Sequence, residues 1–348
     1  MSTCFLAAIL RETNAPLVIE ELTVPPLAGG QVLVEVSHSG VCRSQLMEIQ
    51  GFRGQDRWLP HLLGHEGSGR VLEVGPGVTK VIVGDEVVIG WIKGTGLSAR
   101  PPRFKDRHGQ FVNAGAATTF STMSVISEDR LYKAPIGFAK DFLPLFGCAL
   151  LTGGGMALNH FDESRHQNVL ILGFGGVGTS AAVVIDSLKS ADFVILEESR
   201  ERREQASKMG FKRVFSIKDI EFLELRNSIG GFDLCLESGG SATSIELGFS
   251  MLAPKGKLVF ATHPEFGSRI SLDPFELING KQIIGSFGGG TNPDQDIEVI
   301  GKLLLSSQLN LNEMLGKVFP LIDVNLALDY LRNGEKGRPI LRMVEDKQ

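Results

Sequence analysis

Cysteine, net positive charge and long apolar runs are all scarce in this chain of 348 residues. Its four cysteines are too few and too widely spaced for a disulfide framework, so reduced thiols in a cytoplasm are expected. The formal net charge of −5 argues against nucleic acid or an anionic membrane surface as the main partner. No apolar run approaches the length of a membrane span, which argues against a membrane protein.

The remaining composition is that of a globular protein, with 43% hydrophobic and 22% charged residues. A chain of this length is long enough for two domains of ordinary size. Residues 1–10 carry an apolar patch, but no basic region precedes it and no small-residue cleavage site follows it. We therefore expect an edge strand there and not a signal peptide.

The most informative stretch is 169–178, which reads VLILGFGGVG. An apolar run predicts a buried strand, and an apolar helix is predicted to follow the glycines. The first glycine permits a tight turn, the second lets backbone amides approach a pyrophosphate, and the last lets the helix pack closely. Glu197 ends a second strand-like run, where a carboxylate can bind ribose hydroxyls. The pattern predicts a dinucleotide site formed by Gly173, Gly175, Gly176, Val177, Gly178 and Glu197.

The residues around Glu197 bear on which dinucleotide is bound. A glutamate at this position would accept hydrogen bonds from the ribose hydroxyls and would repel a 2′-phosphate, which favours NAD. Arg200, Arg202 and Arg203 follow closely and could bind that phosphate, which would allow NADP. A solvated helix face, on which these arginines pair with neighbouring glutamates, is the simpler interpretation. We therefore expect NAD.

Strand and turn signals divide the chain into two regions. Residues 1–92 contain short β-rich runs separated by Gly/Pro turns, which are typical of a small, mostly antiparallel barrel-like domain. From 169 to about 287 strands alternate with helices, which predicts six parallel strands in a doubly wound sheet. Residues 94–117 show no periodicity and predict a long loop. One hypothesis is that this loop binds an anionic substrate through Arg100, Arg103, Lys105 and Arg107.

Cys42, His65 and Cys148 each lie within two residues of a glycine. Two thiolates and one imidazole suit zinc, and three protein ligands leave a fourth position for water or substrate. Their wide spacing alone would equally describe buried cysteines and a structural histidine. Glu66 places a carboxylate beside the histidine in an otherwise apolar stretch, which favours a metal site.

These residues belong to six ordered motifs that resemble the zinc-dependent medium-chain dehydrogenase/reductase superfamily of the alcohol dehydrogenase kind. The resemblance extends over essentially the whole chain. The motifs are GVCRS at 40–44, GHEGSG at 64–69, VGPGV at 74–78, GDEV at 84–87, GCALLTG at 147–153 and the glycine turn at 173–178.

The resemblance implies an α/β fold with two domains. A GroES-like β-rich catalytic domain would comprise 1–148 and 288–348, and a doubly wound, parallel-sheet Rossmann domain would comprise 149–287. The Rossmann domain usually forms the dimer interface in this superfamily, so a homodimer or tetramer is expected.

The resemblance also implies roles for individual residues. One catalytic zinc per chain would be bound by Cys42, His65 and Cys148, and Glu66 would bind the metal transiently. The hydroxyl of Ser44 would take the alcohol proton, and an aromatic residue would line the substrate pocket near the zinc. Arg43 and Arg342 would bind the pyrophosphate of the cofactor. Trp91 would be the aromatic residue that lines the substrate pocket.

Three positions depart from the pattern of the superfamily. No cysteine lies between 42 and 148, so the structural zinc of many relatives should be absent. Gln45 stands where an aspartate commonly orients the ligand histidine, and Met47 stands where some relatives have a proton-transferring histidine.

The expected function is a zinc-dependent, NAD(H)-linked alcohol dehydrogenase or carbonyl reductase that acts on a small molecule. Alternatives are a polyol or sugar dehydrogenase, a dehydrogenase of thiol–formaldehyde adducts, or a non-catalytic cofactor-binding relative. Relatives of the polyol branch often carry a glutamate where this chain has Cys148, which favours the alcohol dehydrogenase branch.

Overall fold

The computed structural model describes residues 3–188 and 191–343, and the chain divides into two compact units. The first unit comprises Met1–Cys148, Asn292–Glu298 and Leu315–Gln348, and the second comprises Ala149–Thr291 and Val299–Met314. The resemblance assigns 288–348 to the catalytic domain as one piece, whereas this division places 288–291 and 299–314 in the second unit.

Packing explains why 299–314 belongs to the second unit. The side chain of Ile300 lies so close to Gly154 that an added Cβ there would be 2.7 Å from Ile300 Cδ1. The carbonyl oxygen of Leu303 also accepts a hydrogen bond from Ser187 Oγ at 3.2 Å. Both partners are second-unit residues.

Short strands dominate the beginning of the first unit, as predicted. They are β1 Cys4–Leu10, β2 Val18–Thr23, β3 Gln31–Gly40, β4 His61–Leu62, β5 Gly67–Val74, β6 Glu86–Ile89, β7 Arg103–Asp106, β8 Phe111–Asn113, β9 Met123–Ser127 and β10 Leu131–Lys133, with helix α1 Arg43–Ile49 after β3. Strands β1, β2, β7, β8 and β4 close into a barrel in that order. The prediction of an edge strand at the start of the chain was wrong, because β1 pairs with both β2 and β4.

The prediction of a long loop at 94–117 was also wrong in part, because residues within it form the β7–β8 hairpin. Phe104 pairs with Val112, and both side chains are fully buried in the barrel core. The turn is fixed by Asp106 Oδ1, which accepts the backbone amides of His108 and Gln110 at 2.9 Å each. The positive φ of +76° at Gly109 completes it.

The second unit alternates helices with parallel strands. Its elements are α2 Ala149–His160, β11 Asn168–Leu172, α3 Gly176–Leu188, β12 Asp192–Leu196, α4 Arg200–Met209, β13 Val214–Phe215, α5 Ile220–Ile229, β14 Phe232–Glu237, α6 Ala242–Ser250, β15 Leu252–Phe260, α7 Pro274–Ile278 and β16 Gln282–Gly285. The strands form one parallel sheet in the order β13-β12-β11-β14-β15-β16. This confirms the doubly wound sheet, and the order reverses between β11 and β14, where ligands bind in such folds.

The C-terminal part of the chain completes the first unit. It contains α8 Pro293–Ser306, which crosses the division between the units, then β17 Leu315–Pro320, α9 Val324–Arg332 and β18 Arg338–Arg342. Strand β18 joins the sheet β10-β6-β5-β3-β18-β17, and β9 pairs with β3.

The register between β18 and β3 is important for the site, because Ile340 lies opposite Gly40 and brings the start of β18 beside the GVCRS motif. Across the described residues, no helix has the length and apolar character needed to cross a membrane.

Candidate active site

The structure brings together the three predicted zinc ligands, all within the first unit. Cys42 precedes α1, His65 lies between β4 and β5, and Cys148 is the last residue before α2. One potential ligand atom from each lies within 4.8 Å of the other two. Two sulfur atoms and one imidazole nitrogen at this spacing fit a tetrahedral zinc site with one open position.

Glycines beside the ligands allow the chain segments to approach one another. A Cβ at Gly147 would lie 2.3 Å from the carbonyl oxygen of Ile89 and 2.8 Å from Glu66 Cα. A Cβ at Gly40 would lie 2.5 Å from Glu66 Oε1. Gly64 has a φ of +86°, and a Cβ there would lie 2.4 Å from Thr119 Oγ1. Any larger residue at these positions would push the ligand segments apart.

The two thiols interact directly, and they differ in acidity. Their mutual hydrogen bond lowers the pKa of Cys42 well below its usual value, with help from the charges of Arg338 and His65. The same hydrogen bond and burial raise the pKa of Cys148 well above its usual value. The pair thus favours one thiolate beside one thiol, and a divalent cation would favour ionisation of both.

Gln45 orients the ligand histidine, at the position where the superfamily commonly has aspartate. Its Oε1 accepts the backbone amide of Cys42 at 2.8 Å, and its Nε2 lies 2.5 Å from His65 Nδ1. The side chain is almost fully buried, so the amide is held between the two ligand residues. The contact engages Nδ1 and leaves Nε2 of the histidine for a metal.

Glu66 lies against the three ligands and forms a buried ion pair. Arg338 Nε lies 3.2 Å from Glu66 Oε1, with side-chain exposures of 10% and 0%. Burial raises the pKa of Glu66 to about 7, while the charge of Arg338 opposes that rise. Burial lowers the pKa of Arg338, but the charges of Glu66, Cys42 and Cys148 outweigh it and raise the pKa overall.

The other predicted residues of the first unit lie in several environments. Ser44, in the first turn of α1, has a buried hydroxyl oxygen without a hydrogen-bond partner among the described residues. Arg43 is exposed, and Met47 is half-buried on the same helix. Trp91 follows β6, and its backbone amide donates to the carbonyl oxygen of Gly147, next to Cys148.

The glycine turn of the second unit has the geometry expected of a dinucleotide site. Gly173 has a φ of +89°, which a residue with a side chain rarely adopts. A Cβ at Gly178 would lie 2.0 Å from the carbonyl oxygen of Gly173, so the helix packs closely on the turn. A Cβ at Gly175 would meet only Arg202 Nη1, at 3.9 Å. The turn therefore offers open backbone at the start of α3, where Gly176 and Val177 lie.

Glu197 ends β12 and is braced by backbone amides. Its Oε2 accepts the amide of Phe174 at 2.6 Å, and its Oε1 accepts that of Ser199 at 2.8 Å. Arg202 Nη1 lies 3.9 Å from Glu197 Oε2. The carboxylate thus ties the glycine turn to the end of β12, and an arginine lies beside both.

Two families match this chain. The family described as alcohol dehydrogenase GroES-like domain matches residues 28–136, and the family described as zinc-binding dehydrogenase matches residues 176–304. This chain belongs to the zinc-dependent, alcohol dehydrogenase-like medium-chain dehydrogenase/reductase superfamily. The predicted combination of a GroES-like domain with a Rossmann domain is thereby confirmed.

Individual relatives are similar over nearly their whole length. An S-(hydroxymethyl)glutathione dehydrogenase of Synechocystis is 25% identical over 364 residues, covering 96% of this chain and 98% of the relative. An alcohol dehydrogenase class-3 of Drosophila melanogaster is 26% identical over 367 residues, covering 97% of each. The crystal structure of benzyl alcohol dehydrogenase from Acinetobacter calcoaceticus has a TM-score of 0.85 at 24% identity, covering 98% of this chain and 100% of that one.

Two charged residues near the predicted sites were not recognised from the sequence. Arg338 is the arginine that contacts the zinc-ligand cluster, whereas the predicted Arg342 is exposed at the far end of the same strand. An arginine at the start of an otherwise apolar strand was the available signal. Glu237, at the end of β14, is fully buried, and its Oε1 accepts the amides of Gly239 and Gly240. It braces the loop that follows β14.

Proposed function

We propose that this protein is a zinc-dependent, NAD(H)-linked alcohol dehydrogenase or carbonyl reductase. The observation that carries the proposal is the convergence of Cys42, His65 and Cys148 within 4.8 Å. A non-catalytic relative would have no need for two adjacent thiols and an imidazole around one point. When bound, zinc would supply Lewis-acid chemistry that lowers the pKa of a coordinated hydroxyl.

The residues around this cluster would hold the substrate and move its proton. Ser44 offers a buried hydroxyl without a partner among the described residues, which can relay the proton that leaves an alcohol by accepting it while giving up its own hydroxyl proton to water. Gln45 keeps the imidazole of His65 in place through its short contact to Nδ1. Trp91, anchored through its backbone to Gly147, would form a wall of the substrate pocket. Met47 carries no titratable group, so proton release would not pass through it.

The second unit would bind the dinucleotide. The open backbone at Gly175 and the start of α3 would hold the pyrophosphate, with Arg43 and Arg342 as further candidates to pair with it. The carboxylate of Glu197 accepts hydrogen bonds from two backbone amides, and it would also accept hydrogen bonds from the ribose hydroxyls, which supports NAD. Arg200 pairs with Glu204 at 3.0 Å, and Arg203 donates to the carbonyl oxygens of Glu197 and Glu198. Arg202 is therefore the arginine available to contact a 2′-phosphate.

A homo-oligomer is part of the proposal. Strand β16 forms one edge of the parallel sheet, and large apolar side chains near it are exposed, at 82% for Phe266, 65% for Phe275 and 78% for Ile278. Burial of such a surface against a second copy would stabilise a dimer. Light scattering after gel filtration should give at least twice the 37.6 kDa mass of one chain; a monomer at micromolar concentration would contradict this part.

The deciding experiment combines metal analysis with turnover. Protein purified without chelator should contain one zinc per chain and reduce NAD with at least one member of a panel of primary alcohols, benzyl alcohol, vicinal diols and S-(hydroxymethyl)glutathione. Cys148→Ser should lose both zinc and turnover, because the two remaining protein ligands would bind zinc too weakly to retain it. Cys235→Ser is the matched control, since Cys235 is a buried thiol in the second unit. Full zinc and activity in Cys148→Ser would refute the assignment.

A further inference from the structure

A polar cavity of about 480 Å³ lies at the amino-terminal edge of the parallel sheet. Its walls come from the turn before β11, the start of β14 and a bulge in β15, and the glycine turn follows the opposite, carboxyl end of β11. The cavity is thus separate from the proposed dinucleotide site. The charged and titratable residues that line it are Asp162, Arg165, His166, Asp233, Lys255 and Lys257.

The two carboxylates of the cavity are already held by neighbouring groups. Asp233 Oδ2 accepts the backbone amides of Gln167 at 3.1 Å and Asn168 at 3.0 Å. Asp162 Oδ1 accepts the amide and hydroxyl of Ser164 at 3.0 and 2.6 Å. Asp162 Oδ2 lies 3.4 Å from Arg165 Nε. These acids fix the loop that precedes β11, so a cationic ligand would have to displace their partners.

The basic groups, in contrast, have donors to spare. Lys257 is half-buried and donates one hydrogen bond, to the carbonyl oxygen of His160 at 2.8 Å. Within the described ranges 3–188 and 191–343, no carboxylate lies within 4.0 Å of the amine of Lys257 or Lys255. His166 is buried, and its Nδ1 accepts the amide of Asp162 at 2.9 Å, which places the ring proton on Nε2. Burial lowers the pKa of both His166 and Lys257. The cavity thus presents a surplus of donors.

The backbone around Lys255 is unusual. In β15, Leu252 lies opposite Phe232 and Lys257 opposite Leu234, so the intervening residues bulge out of the sheet. Lys255 within this bulge has a φ of +66°, a left-handed conformation that favours glycine. Bulges and strained residues concentrate beside functional sites, where they direct a side chain. Here the bulge places a lysine at the cavity.

We propose that this cavity binds the phosphate group of a small phosphorylated molecule through Lys257, Lys255 and Arg165. A phosphate offers several acceptor oxygens and up to two negative charges, which matches the two lysines, the remaining guanidinium donors of Arg165 beside its pair with Asp162, and the Nε2 donor of His166. The cavity volume lies within the range of small-molecule sites and exceeds what a phosphate ion fills. A phosphate monoester is therefore a better fit than the free ion.

Calorimetric titration with inorganic phosphate and with glycerol 3-phosphate, at constant ionic strength, tests the proposal. Because phosphate can also bind the glycine turn, each titration is run with and without saturating NAD. Lys257→Gln should weaken binding of both probes by about tenfold or more, the usual effect of a lost charged hydrogen bond, under both conditions. Lys208→Gln, which removes an exposed lysine of α4, should leave affinity unchanged. Equal affinities in Lys257→Gln and the parent would overturn the proposal.

A second variant separates binding from folding. Lys255→Gly removes the amine but places the preferred residue at a positive φ, so it should raise the melting temperature while weakening phosphate binding. A stabilised Lys255→Gly with parental phosphate affinity would exclude this lysine from the site and would overturn the proposal as stated. Tighter binding of glycerol 3-phosphate than of inorganic phosphate would support the monoester over the free ion.

Discussion

Replacement of Arg338 by methionine should destabilise the first unit strongly. The guanidinium and the Glu66 carboxylate are 3.2 Å apart, and their side-chain exposures are 10% and 0%. Removal of Arg338 leaves the buried Glu66 carboxyl group without its cation, so the group either stays charged in a buried setting or takes up a proton. Breaking a buried pair in this way costs about 3–5 kcal/mol. The loss of the hydrogen bond from Arg338 Nη1 to the Val41 carbonyl oxygen adds to the same effect. The expected change is therefore a loss of at least about 3 kcal/mol.

Tryptophan fluorescence can follow this unit separately. The chain has two tryptophans, Trp58 and Trp91, and both belong to the first unit. Trp58 is 71% exposed, so the half-buried Trp91 should dominate the change during urea unfolding. Phenylalanine and tyrosine of the second unit contribute little at tryptophan excitation. The urea midpoint of the fluorescence change thus reports the first unit.

Two controls distinguish the buried pair from ordinary charge loss. Arg70→Met breaks an exposed pair with Glu35 in the same unit, at 3.4 Å and 58% and 37% exposure, and should cost about 1 kcal/mol or less. The double variant Arg338→Met, Glu66→Gln should recover most of the lost stability, because it removes the unpaired charge. If Arg338→Met unfolds at the same urea concentration as Arg70→Met, the buried ion pair does not contribute more to the stability of the first unit than an exposed pair does.

Further predictions concern the dinucleotide site and the barrel. Gly178→Val should abolish NADH binding in a fluorescence titration, because a Cβ would lie 2.0 Å from the Gly173 carbonyl oxygen; measurable parental affinity would contradict this. Arg202→Ala should lower kcat/KM for NADP about tenfold more than for NAD. Burial raises the pKa of Asp106, but the Gln110 amide and Arg11 outweigh it and lower the pKa overall. The contribution of the Asp106 carboxylate to folding stability is present above its unfolded-state pKa of about 4 and is lost as pH falls from there through the lower folded-state pKa. Asp106→Asn should therefore reduce the pH dependence of the free energy of unfolding below about pH 4.

The Rossmann sheet could be predicted from the sequence because its signals are local. Each parallel strand is an apolar run bounded by polar or glycine-rich turns, and the prediction of six parallel strands matches the six strands β11–β16. The glycine spacing at 173–178 reports directly on a turn that needs a positive φ and close packing.

The β7–β8 hairpin was missed because its signal is short and masked by charge. Its strands cover only Arg103–Asp106 and Phe111–Asn113, and basic residues alternate with the buried Phe104. Arg103 and Lys105 lie over the ring of Phe111, at 4.2 and 5.5 Å from its centroid. Two of the four basic residues in the anionic-substrate hypothesis therefore cover an aromatic residue of the barrel, which weakens that hypothesis.

The environment of the zinc ligands depends on contacts that no local pattern contains. Arg338 reaches Glu66 because β18 pairs with β3 in a register that places Ile340 opposite Gly40. These strands come from near the end and near the beginning of the sequence. Gly40 and Gly147 are both required by the volume of the buried Glu66 side chain and its backbone, a reason visible only once the segments are packed. The motif glycines, the acid and the distant arginine therefore act as one packed unit. A substitution at any of them should therefore move the side chains of Cys42, His65 and Cys148 relative to one another, although those three residues are unchanged.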